Sequence, residues 1–343
     1  MKVLSLFDGM ACGMLAMQSA GVKVDRYVAF EIDKYAIQTS SHNFPMIEHR
    51  GDVFQADFSE FRGFDFLVGG SPCTFWSVAQ KNNRETEASG MGWELFSQYN
   101  RALREAQPMF FIYENNKSMS NAIRESITAT FGFEPICINS ALVSPQNRWR
   151  LYWVGKRNPD GTYSRVHVDQ PEDLGILLRD VLDAEPFGET KDKAYALTAS
   201  YWKGQPHNKI LAKSQRTHIA EPVNIIAEAV EWDDEGKPTK AKSGDDGKIY
   251  TVYEVKVGHI TIKGEDYPVK LADGFYIIRK LTVRECKRLQ TVPEWYEFPV
   301  SDTQAYKMLG NGWTVEVIAH LIEATQAGEI EEEQLDLFKL GVM

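Results

Sequence analysis

Residues 2–20 have the sequence KVLSLFDGMACGMLAMQSA. The run from Lys2 to Phe7 is mostly apolar and predicts a buried strand. Gly9 to Gly13 predicts a tight turn, and Met14 to Ala20 predicts a helix. A strand, a glycine-containing turn and a helix in direct succession are typical of the first unit of an α/β domain, in which a ligand lies against the turn.

The same alternation continues to residue 155. Further strands are predicted at 24–30, 64–68, 109–113 and 151–155, and helices at 33–42 and 93–106. Strands that alternate with helices favour an α/β fold with a doubly wound, mostly parallel, Rossmann-like sheet. We assign residues 1–157 to this first domain.

The pattern changes beyond the last of these strands. Residues 158–278 contain several Pro and Gly and β-rich pieces such as 248–257, whereas helical periodicity is weak there. We predict that they form a small β-rich inserted domain. Helical periodicity returns in residues 279–328, which we expect to complete the first domain, and residues 329–343 form an acidic tail.

The net charge of the chain is −10, from 38 Lys and Arg against 48 Asp and Glu. Taken alone, this excess of acid argues against a nucleic-acid partner, because phosphate binding requires Lys and Arg. The basic residues are clustered, however, and residues 191–216 contain six Lys or Arg and one acid, Asp192. A second cluster comprises Arg279, Lys280, Arg284, Lys287 and Arg288. The distribution is compatible with a nucleic-acid partner and equally with solvated faces.

The four cysteines, Cys12, Cys73, Cys137 and Cys286, stand far apart in the chain. Their spacing indicates neither a disulfide framework nor a zinc cluster, so we expect no bound metal and a reducing compartment. No run of about 20 apolar residues is present, and the N-terminus lacks the features of a signal peptide. We therefore predict a cytoplasmic protein without a membrane span.

The turn from Phe7 to Gly13 has the features of a cofactor site. Its glycines let the backbone approach a ligand closely. Glu31 ends the second strand about 20 residues further on, where an acid can accept a ribose hydroxyl, and Asp52 follows Gly51 near the next strand. The turn is not G-x-G-x-x-G and no P-loop motif is present, so a dinucleotide is disfavoured. A structural turn with surface acids is the alternative interpretation.

The segment Gly69-Gly70-Ser71-Pro72-Cys73 carries the chemical signal. It follows an apolar strand, so Cys73 lies at the mouth of the same crevice. Glu114 follows another apolar strand, and Gln146, Arg148 and Arg150 point to one face if their segment is extended. A lone cysteine is more often inert. We expect the two arginines to lower the pKa of the Cys73 thiol and make it nucleophilic.

Together these segments resemble the DNA cytosine-5 methyltransferases. The resemblance covers 1–155 and 279–320, with the motifs in family order. Its motifs are F-D-G-M-A-C-G at 7–13, Glu31, Asp52, G-G-S-P-C at 69–73, Glu114-Asn115, Gln146/Arg148/Arg150, R-K-L-T-V-R-E-C-K-R-L-Q at 279–290 and L-G-N-G-W-T-V at 309–315. The first and last motifs are similar to those of the animal de novo branch. Each motif alone is weak, but the ordered set is very specific.

The resemblance implies a methyltransferase sheet and a reaction. Cys73 would add to C6 of a flipped cytosine in duplex DNA, Glu114 would hold the N3/N4 edge of the base, and Arg148 and Arg150 would position the base, the thiol and the phosphate. The base must leave the duplex to be reached. Residues 158–278 would be the target recognition domain, tied to the core by Arg284 and Glu285.

The resemblance also implies an S-adenosylmethionine site and contacts to the substrate. The cofactor residues would be Phe7, Asp8, Gly9, Met10, Ala11, Cys12, Gly13, Glu31, Ile32, Asp52, Val53, Pro72, Asn311, Gly312 and Trp313. Substrate contacts would come from Ser71, Gln146, Lys203, Lys209 and Arg216. We expect a monomer from a bacterium or a bacteriophage, of the restriction-modification kind. The target sequence and any restriction partner stay open.

Three positions depart from the family pattern. Thr74 follows the cysteine in place of Gln or Asn, Asn116 replaces Val after Glu-Asn, and Gly312 replaces the Ser of many members. None of them removes the nucleophile or the carboxylate. As a hypothesis, Gly312 allows an enlarged donor analogue.

The tail contains Gln334-Leu335-Asp336-Leu337-Phe338. This pentapeptide resembles the short peptide by which bacterial replication proteins bind the sliding clamp, with Leu337 and Phe338 as apolar anchors. An amphipathic last helix packed on the core is the alternative.

Two other functions stay open for the whole chain. An RNA cytosine-5 methyltransferase has the same fold, and a catalytically weak DNA-binding regulatory relative would have a similar sequence. The inserted domain favours duplex DNA over RNA, and the intact cysteine, carboxylate and arginines argue against a regulatory relative.

Overall fold

A computed structural model describes residues 1–78, 84–183, 192–206, 209–211, 216–244 and 246–327, with the side chains of residues 225 and 226 excepted. Its first ten strands are β1 (Lys2–Leu6), β2 (Arg26–Phe30), β3 (Glu48–His49), β4 (Phe66–Gly69), β5 (Phe110–Asn116), β6 (Ile136–Asn139), β7 (Gln146–Asn147), β8 (Trp149–Arg157), β9 (Tyr163–Arg165) and β10 (Ala194–Tyr195). The helices are α1 (Cys12–Ser19), α2 (Lys34–Asn43), α3 (Gly90–Ala106), α4 (Asn121–Phe131), α5 (Ile225–Glu228), α6 (Val283–Leu289), α7 (Asp302–Asn311) and α8 (Val315–Ala327).

The main sheet, within the described ranges, has the strand order β3-β2-β1-β4-β5-β8-β6, with β9 paired to β8. Strands β1 to β5 run parallel, whereas β8 is antiparallel to both β5 and β6. The predicted doubly wound, mostly parallel sheet is therefore confirmed. Strand β5 runs on to Asn116, so Glu114 lies within the strand rather than after it.

The register of the parallel strands determines where the polar residues meet. Leu6 pairs with both Phe30 and Gly69, and Gly69 pairs with Tyr113. The residues that follow these pairs therefore lie side by side at the carboxyl edge of the sheet. This edge is where open α/β sheets bind their ligands.

Apolar side chains fill both faces of the sheet. One core contains the buried side chains of α1, which include Met14 and Leu15, together with those of α8. The other core contains the buried faces of α3 and α4. On that side the Tyr99 hydroxyl contacts the carbonyl oxygens of Leu67 at 3.2 Å and Ile112 at 2.9 Å, so helix α3 is attached to both β4 and β5. Two covered faces explain why these strands are almost wholly apolar.

A second, antiparallel sheet comprises β11 (His218–Pro222), β12 (Ala229–Trp232), β13 (Pro238–Lys242), β14 (Ile249–Lys256), β15 (His259–Ile262), β16 (Glu265–Pro268) and β17 (Gly274–Lys280). Its order is β11-β17-β14-β13-β12, with β15 and β16 added at β14. Val255, Ile260, Tyr276 and Ile278 form its own small core.

The second sheet does not begin at the predicted boundary, residue 158. Strand β9 belongs to the main sheet, and Val166, Leu178 and Tyr201 pack into the core around α1 and α8. Residues 163–201 thus pack with the first domain where they are described. The sequence did not reveal this because an irregular segment that packs on a neighbouring core has no periodicity of its own.

The second sheet is attached to the first domain through Arg279, not through Arg284 as the motif suggested. The Arg279 guanidinium is buried and contacts Glu285 through Nη1 at 2.9 Å and Nη2 at 3.0 Å, and Glu221 through Nε at 2.9 Å. Arg284 is largely exposed and pairs with Glu294. Removing one member of a buried ionic group leaves an uncompensated charge, which costs about 3–5 kcal/mol.

None of the helices in the described part of the chain is both long and apolar enough to cross a bilayer.

Candidate active site

A cavity of about 260 Å³ opens at the carboxyl edge of the main sheet. Its walls come from the turn after β1, the residues after β2 and β4, and strands β5 and β8. The end of helix α7 and the turn after it complete the cavity. The lining residues are Phe7, Asp8, Gly9, Met10, Cys12, Glu31, Asp33, Ala36, Gly70, Ser71, Pro72, Cys73, Thr74, Glu114, Arg148, Arg150, Lys307, Met308, Asn311, Gly312 and Trp313. One cavity therefore joins the predicted cofactor motifs to the predicted nucleophile.

The turn between β1 and α1 has an unusual backbone. Phe7, Gly9 and Ala11 have φ angles of 58°, 59° and 62°. Positive φ is costly for residues with a side chain, and such strain clusters at ligand sites. Phe7 and Ala11 thus adopt left-handed backbone conformations, which residues other than glycine rarely adopt.

Glu31 is held by backbone donors. Its Oε2 accepts from the Gly9 N–H at 2.8 Å, and its Oε1 accepts from the N–H groups of Ile32 and Asp33, each at 2.8 Å. The carboxylate is thereby fixed at the wall of the cavity. Oε2, which accepts from one N–H only, keeps further capacity to accept a hydroxyl of a ligand.

Asp8 is a buried acid that faces the cavity. Its Oδ1 accepts from the Ser5 hydroxyl at 2.6 Å and the Tyr27 hydroxyl at 2.7 Å. Its Oδ2 is buried and has no hydrogen-bond partner. Burial raises the pKa of the carboxyl to about 6, although these two hydroxyls oppose the shift. An orphaned buried oxygen of this kind is satisfied when a cationic or N–H group enters the cavity.

Ten of the predicted cofactor residues line the cavity. They are Phe7, Asp8, Gly9, Met10, Cys12, Glu31, Pro72, Asn311, Gly312 and Trp313. Five are not among its lining residues: Ala11, Gly13, Ile32, Asp52 and Val53. The Ile32 side chain is 75% exposed, and the Asp52 carboxylate caps a turn by accepting from the Phe54 N–H.

Sequence reasoning missed four lining residues, namely Asp33, Ala36, Lys307 and Met308. Lys307 Nζ lies 2.7 Å from Asp33 Oδ2, so an ion pair joins α7 to the beginning of α2. Residues 33 and 307 are far apart in the chain, and a single sequence shows no sign of such pairing. The only sign of these four residues in the sequence was that they lie close along the chain to Glu31 or Asn311.

Cys73 begins a single 3₁₀ turn, Cys73–Phe75, directly after the Gly-Gly-Ser-Pro segment. Its thiol is half-buried. Burial raises the pKa of this thiol above its ordinary value, while Arg150 and, more weakly, Arg148 oppose the shift. The two arginines thus act in the expected direction, but desolvation outweighs their attraction, so the expected net lowering of the thiol pKa is not found in this state.

The Glu114 side chain lines the same cavity as Cys73. Its Oε1 lies 2.9 Å from Arg150 Nε, and its Oε2 accepts from the Trp313 indole N–H at 2.9 Å. A Cβ atom added to Gly70 would lie 2.8 Å from the same Oε2. Gly70 is thus required for the close approach of the segment before Cys73 to Glu114.

Arg148 holds the walls of the site together. Its guanidinium donates to the carbonyl oxygens of Leu197 at 2.9 Å, Gly310 at 3.2 Å and Gly312 at 2.8 Å. Burial, and then the charge of Arg150, lower its pKa to about 10, so it stays charged at neutral pH. The predicted phosphate contact does not fit Arg148, since its donors are engaged inside the protein. Arg150 alone keeps a partly open position.

Gln146 and Ser71 are also internal. The Gln146 side chain is fully buried, donates to the Leu289 carbonyl at 3.0 Å and accepts from the Leu197 N–H at 2.8 Å. Ser71 Oγ lies 2.7 Å from the Tyr113 hydroxyl. Direct substrate contact by Gln146, expected from the motif, is therefore incorrect for this conformation. Ser71 reaches the cavity wall but is engaged with Tyr113.

The three predicted basic contacts differ in placement. Lys203 is exposed at the end of a short turn. Lys209 is also exposed, and most of the remaining residues of 207–215 lie outside the described residues. Arg216 is partly buried and donates to the Gly204 carbonyl and the Ser200 hydroxyl, each at 3.0 Å, so it shapes the segment that precedes it.

The unusual residues after Cys73 take part in a local network. Trp76 is fully buried, and its indole N–H donates to Glu85 at 3.2 Å. Arg84 donates to the carbonyl oxygens of Trp76 at 3.0 Å and Ser118 at 2.6 Å.

Asn116, another departure from the family pattern, accepts from the Ser118 hydroxyl at 2.6 Å. Asn116 thereby orients Ser118, which contacts Val78 and Arg84 of the segment after Cys73. The two departures, at the residues after Cys73 and at Asn116, are structurally connected.

A second cavity, of about 510 Å³, adjoins the first. The two share Cys73, Thr74, Arg150 and Asn311. The second is completed by Ser77, Asn116, Lys117, Ser118, Trp149, Ala196, Leu197, Thr198, Ala199, Ser200 and Gly310. Cys73 therefore lies where the two cavities meet. Among the described residues no cluster of three or more potential metal ligands is found.

The family model for C-5 cytosine-specific DNA methylase matches residues 1–327, so the chain belongs to that family. It is accordingly a DNA (cytosine-5-)-methyltransferase, an enzyme that uses S-adenosylmethionine as methyl donor.

Bacterial and phage proteins are similar over part or all of the chain. The type II methyltransferase M1.ScrFI of Lactococcus lactis subsp. cremoris is 28% identical over 94% of this chain and 77% of its own length. M.NlaX of Neisseria lactamica is 26% identical over 95% of this chain and 96% of its own. The orphan methyltransferase M.SPRI of Bacillus phage SPR is 35% identical over 46% of this chain and 38% of its own.

Solved structures show the same fold. A Spodoptera frugiperda DNMT2 mutant superposes with a TM-score of 0.63 at 17% identity, covering 94% of this chain and 98% of its own. The Entamoeba histolytica methyltransferase EhMeth superposes with a TM-score of 0.59 at 13% identity, covering 95% and 98%. At these identities the likeness concerns the fold alone.

The first cavity suits S-adenosylmethionine. The donor carries an aromatic base, a ribose diol and an ammonium group. Phe7 and Trp313 offer aromatic surface, Glu31 offers fixed carboxylate oxygens, and Asp8 offers an unsatisfied buried oxygen. The residues present therefore match the chemistry of the group.

Proposed function

We propose that this enzyme methylates C5 of a cytosine rotated out of duplex DNA, through a covalent bond between Cys73 and C6 of the base. The observation that carries the proposal is the position of Cys73 and Arg150 at the junction of the two cavities, with Glu114 beside them. One cavity suits the donor, and the other is open to a nucleotide.

The chain's own groups support each step. The Cys73 thiolate attacks C6, and Arg150 offsets part of the cost of forming that anion in a buried site. Glu114, held by Arg150 and Trp313, hydrogen-bonds the N3/N4 edge of cytosine and favours the attack. S-adenosylmethionine supplies the methyl group to C5. A water molecule then takes the C5 proton, the C6–S bond breaks to release the Cys73 thiolate, and the aromatic base is restored.

The depth of Cys73 is the reason for base rotation. A stacked, paired cytosine cannot bring C6 to a half-buried thiol inside a crevice, so the base has to leave the helix. We further propose that the part of residues 158–278 that forms the second sheet reads the target sequence. Of the predicted basic contacts, Lys203 and Lys209 have the exposure that contact with DNA requires.

Trapping on DNA that contains 5-fluorocytosine tests the chemistry, because fluorine at C5 cannot leave and the covalent complex accumulates. The wild-type chain with S-adenosylmethionine is expected to form a denaturation-resistant adduct, and Cys73→Ser to form none. Cys137→Ser is the matched control, since Cys137 is also partly buried but lines neither cavity. An adduct formed equally by Cys73→Ser would refute the assignment.

A second assay, of methyl transfer, distinguishes DNA from RNA as the substrate. Labelled methyl transfer is measured with duplex DNA and with total RNA of the expression host, and sequencing of modified DNA from the host gives the target site. We expect transfer to DNA; transfer to RNA alone would favour the RNA methyltransferase alternative.

The clamp peptide at Gln334 to Phe338 lies outside the described residues. We propose that it binds the bacterial sliding clamp. Pull-down by the clamp is expected to fail for Leu337→Ala/Phe338→Ala, and equal recovery of the two chains would end this idea.

A further inference from the structure

Trp149 is a large aromatic side chain that the fold leaves in solvent next to the nucleophile. It is 46% exposed, whereas Trp76 is completely buried. It begins β8, between the two motif arginines, and lines the second cavity together with Cys73. Because this exposed ring lines the cavity that Cys73 also lines, a ligand that enters the cavity would cover it.

Lys117 accompanies this ring. Its Nζ lies 4.3 Å from the centre of the Trp149 ring, and it lines the same cavity. No ion pair involving Lys117 is found among the described residues. Its charge is therefore available to an anionic ligand, while the ammonium group lies over one face of the indole.

The strand register explains why these two residues meet. The β5–β8 ladder pairs Glu114 with Tyr152 and ends with Asn116 opposite Arg150. Continued by one residue on each strand, the antiparallel register places Lys117 opposite Trp149. Ser118, the next residue, accepts from the Val78 N–H of the nucleophile loop at 3.4 Å. The pair thus lies between that loop and the end of β8.

An exposed indole beside an available ammonium suits one class of ligand. Aromatic side chains stack on extrahelical bases regardless of sequence, and lysines neutralise phosphodiester oxygens. A protein partner could also cover the exposed Trp149 ring. A nucleotide fits better, because Trp149 and Lys117 line a cavity that also contains Cys73.

We propose that Trp149 and Lys117 are positioning residues for the target nucleotide in its extrahelical state. The Trp149 indole stacks on that nucleotide at the entrance of the site, and the Lys117 ammonium contacts the adjoining phosphodiester. This inference rests on the proposed function, since it requires a rotated cytosine. It assigns to these two residues the stabilisation of that state rather than a part in the bond-forming steps.

Single-turnover methylation of two duplexes tests the role of Trp149. Both carry the target site mapped in the host DNA, one with the cytosine paired to guanine and one with the cytosine opposite an abasic site, where rotation costs less. Trp149→Ala is expected to lower the rate on paired DNA by about 5- to 100-fold, the range that loss of one stacking contact predicts. Most of the loss should disappear on the abasic duplex, and Trp149→Phe should stay within about threefold of wild type.

Salt dependence tests Lys117. Lys117→Gln is expected to weaken DNA binding and to reduce the slope of log K against log salt by about one, as for one lost phosphate contact. Trp295→Ala is the matched control for Trp149→Ala, because Trp295 is 53% exposed and lines neither cavity. It should change neither the methylation rate nor the salt slope.

Contrary outcomes are distinct. Equal losses for Trp149→Ala on both duplexes would show a structural role, and an unchanged rate on both would show no role; either overturns the placement of Trp149. An unchanged salt slope for Lys117→Gln overturns the phosphate contact. Absence of a fluorocytosine adduct with the wild-type chain would instead overturn the proposed function itself.

Discussion

Arg150 Nε lies 2.9 Å from Oε1 of Glu114, while the other oxygen of the same carboxylate accepts from Trp313. Strands β5 and β8 supply the first two residues, and the third follows α7. The carboxylate is therefore oriented by one group from the sheet and one from the far end of the chain. Its geometry depends on both halves of the catalytic domain.

Replacement of Glu114 by Gln should reduce the single-turnover rate by about 10²- to 10⁴-fold, because the amide cannot keep both contacts and still bind the base edge as a carboxyl group does. Donor binding should change little. Glu48→Gln is a matched control, since Glu48 pairs with Arg26 at 2.7 Å on the surface, away from the cavity. A rate for Glu114→Gln within threefold of the control would contradict the proposed role.

Arg148→Lys should destabilise the fold more than Arg150→Lys. Arg148 contacts three carbonyl oxygens through two nitrogens of its guanidinium, and the single nitrogen of a lysine cannot reproduce that geometry. Each buried acceptor left unpaired costs about 1–3 kcal/mol. Urea unfolding of both variants measures the difference. If Arg148→Lys were as stable as wild type, the view of Arg148 as a structural tie would have to be abandoned.

Gly70→Ala should nearly abolish methylation, because the added methyl group would collide with Glu114. Gly9→Ala should introduce no such collision. A Cβ at residue 70 would lie 2.7 Å from the Glu114 carbonyl oxygen and 2.8 Å from its carboxylate, whereas no atom lies within 4 Å of one at residue 9. Gly9 has a positive φ of 59°, so its substitution acts through backbone strain and donor binding. Rates and donor affinities of both variants distinguish these effects, and a fully active Gly70→Ala would argue against close packing on Glu114.

The pH dependence of stability should reflect Asp8. Burial raises its pKa from 3.8 to about 6, so between these values the folded chain holds a proton that the unfolded chain has released. The stabilising effect of this protonation is present below pH 3.8 and is lost as pH rises through 6.

Asp8→Asn removes this titration, so its stability relative to wild type should improve by roughly 3 kcal/mol between pH 3.8 and pH 7.5. Urea midpoints over this range provide the measurement. Asp57→Asn should show the opposite trend, confined to pH values near and below 3.8, because the Ser59 hydroxyl lowers the pKa of that exposed carboxyl. A pH-independent difference for Asp8→Asn would contradict the prediction.

Gly312→Ser should reduce the use of an enlarged donor analogue relative to S-adenosylmethionine. A Cβ at residue 312 would lie 3.0 Å from the Met308 carbonyl oxygen and 3.2 Å from Cys12 Sγ, both in residues that line the donor cavity. The new hydroxymethyl group therefore has to be accommodated at the expense of that space. Competition between the two donors gives the ratio, and an unchanged ratio would remove Gly312 as a determinant of donor size.

The sequence alone determined the sheet and most of the motif positions. Apolar runs separated by glycine turns and helices specify a parallel α/β sheet because both faces of its strands are buried. The residues that end those strands must then meet at one edge, and Glu31, Cys73 and Glu114 were found on that basis.

Only the tertiary structure decided which of these groups are free to act. Gln146 and Arg148 belong to the same motif as Arg150, yet their polar atoms are engaged with Leu197, Leu289 and the turn after α7. Whether the pKa of the Cys73 thiol is raised or lowered likewise depends on how deeply the thiol is buried, because burial opposes the effect of the two arginines. Local sequence specifies strands and turns through propensity and pattern. The partners of the Gln146 and Arg148 side chains come from segments 49 to 164 residues away, and packing alone selects them.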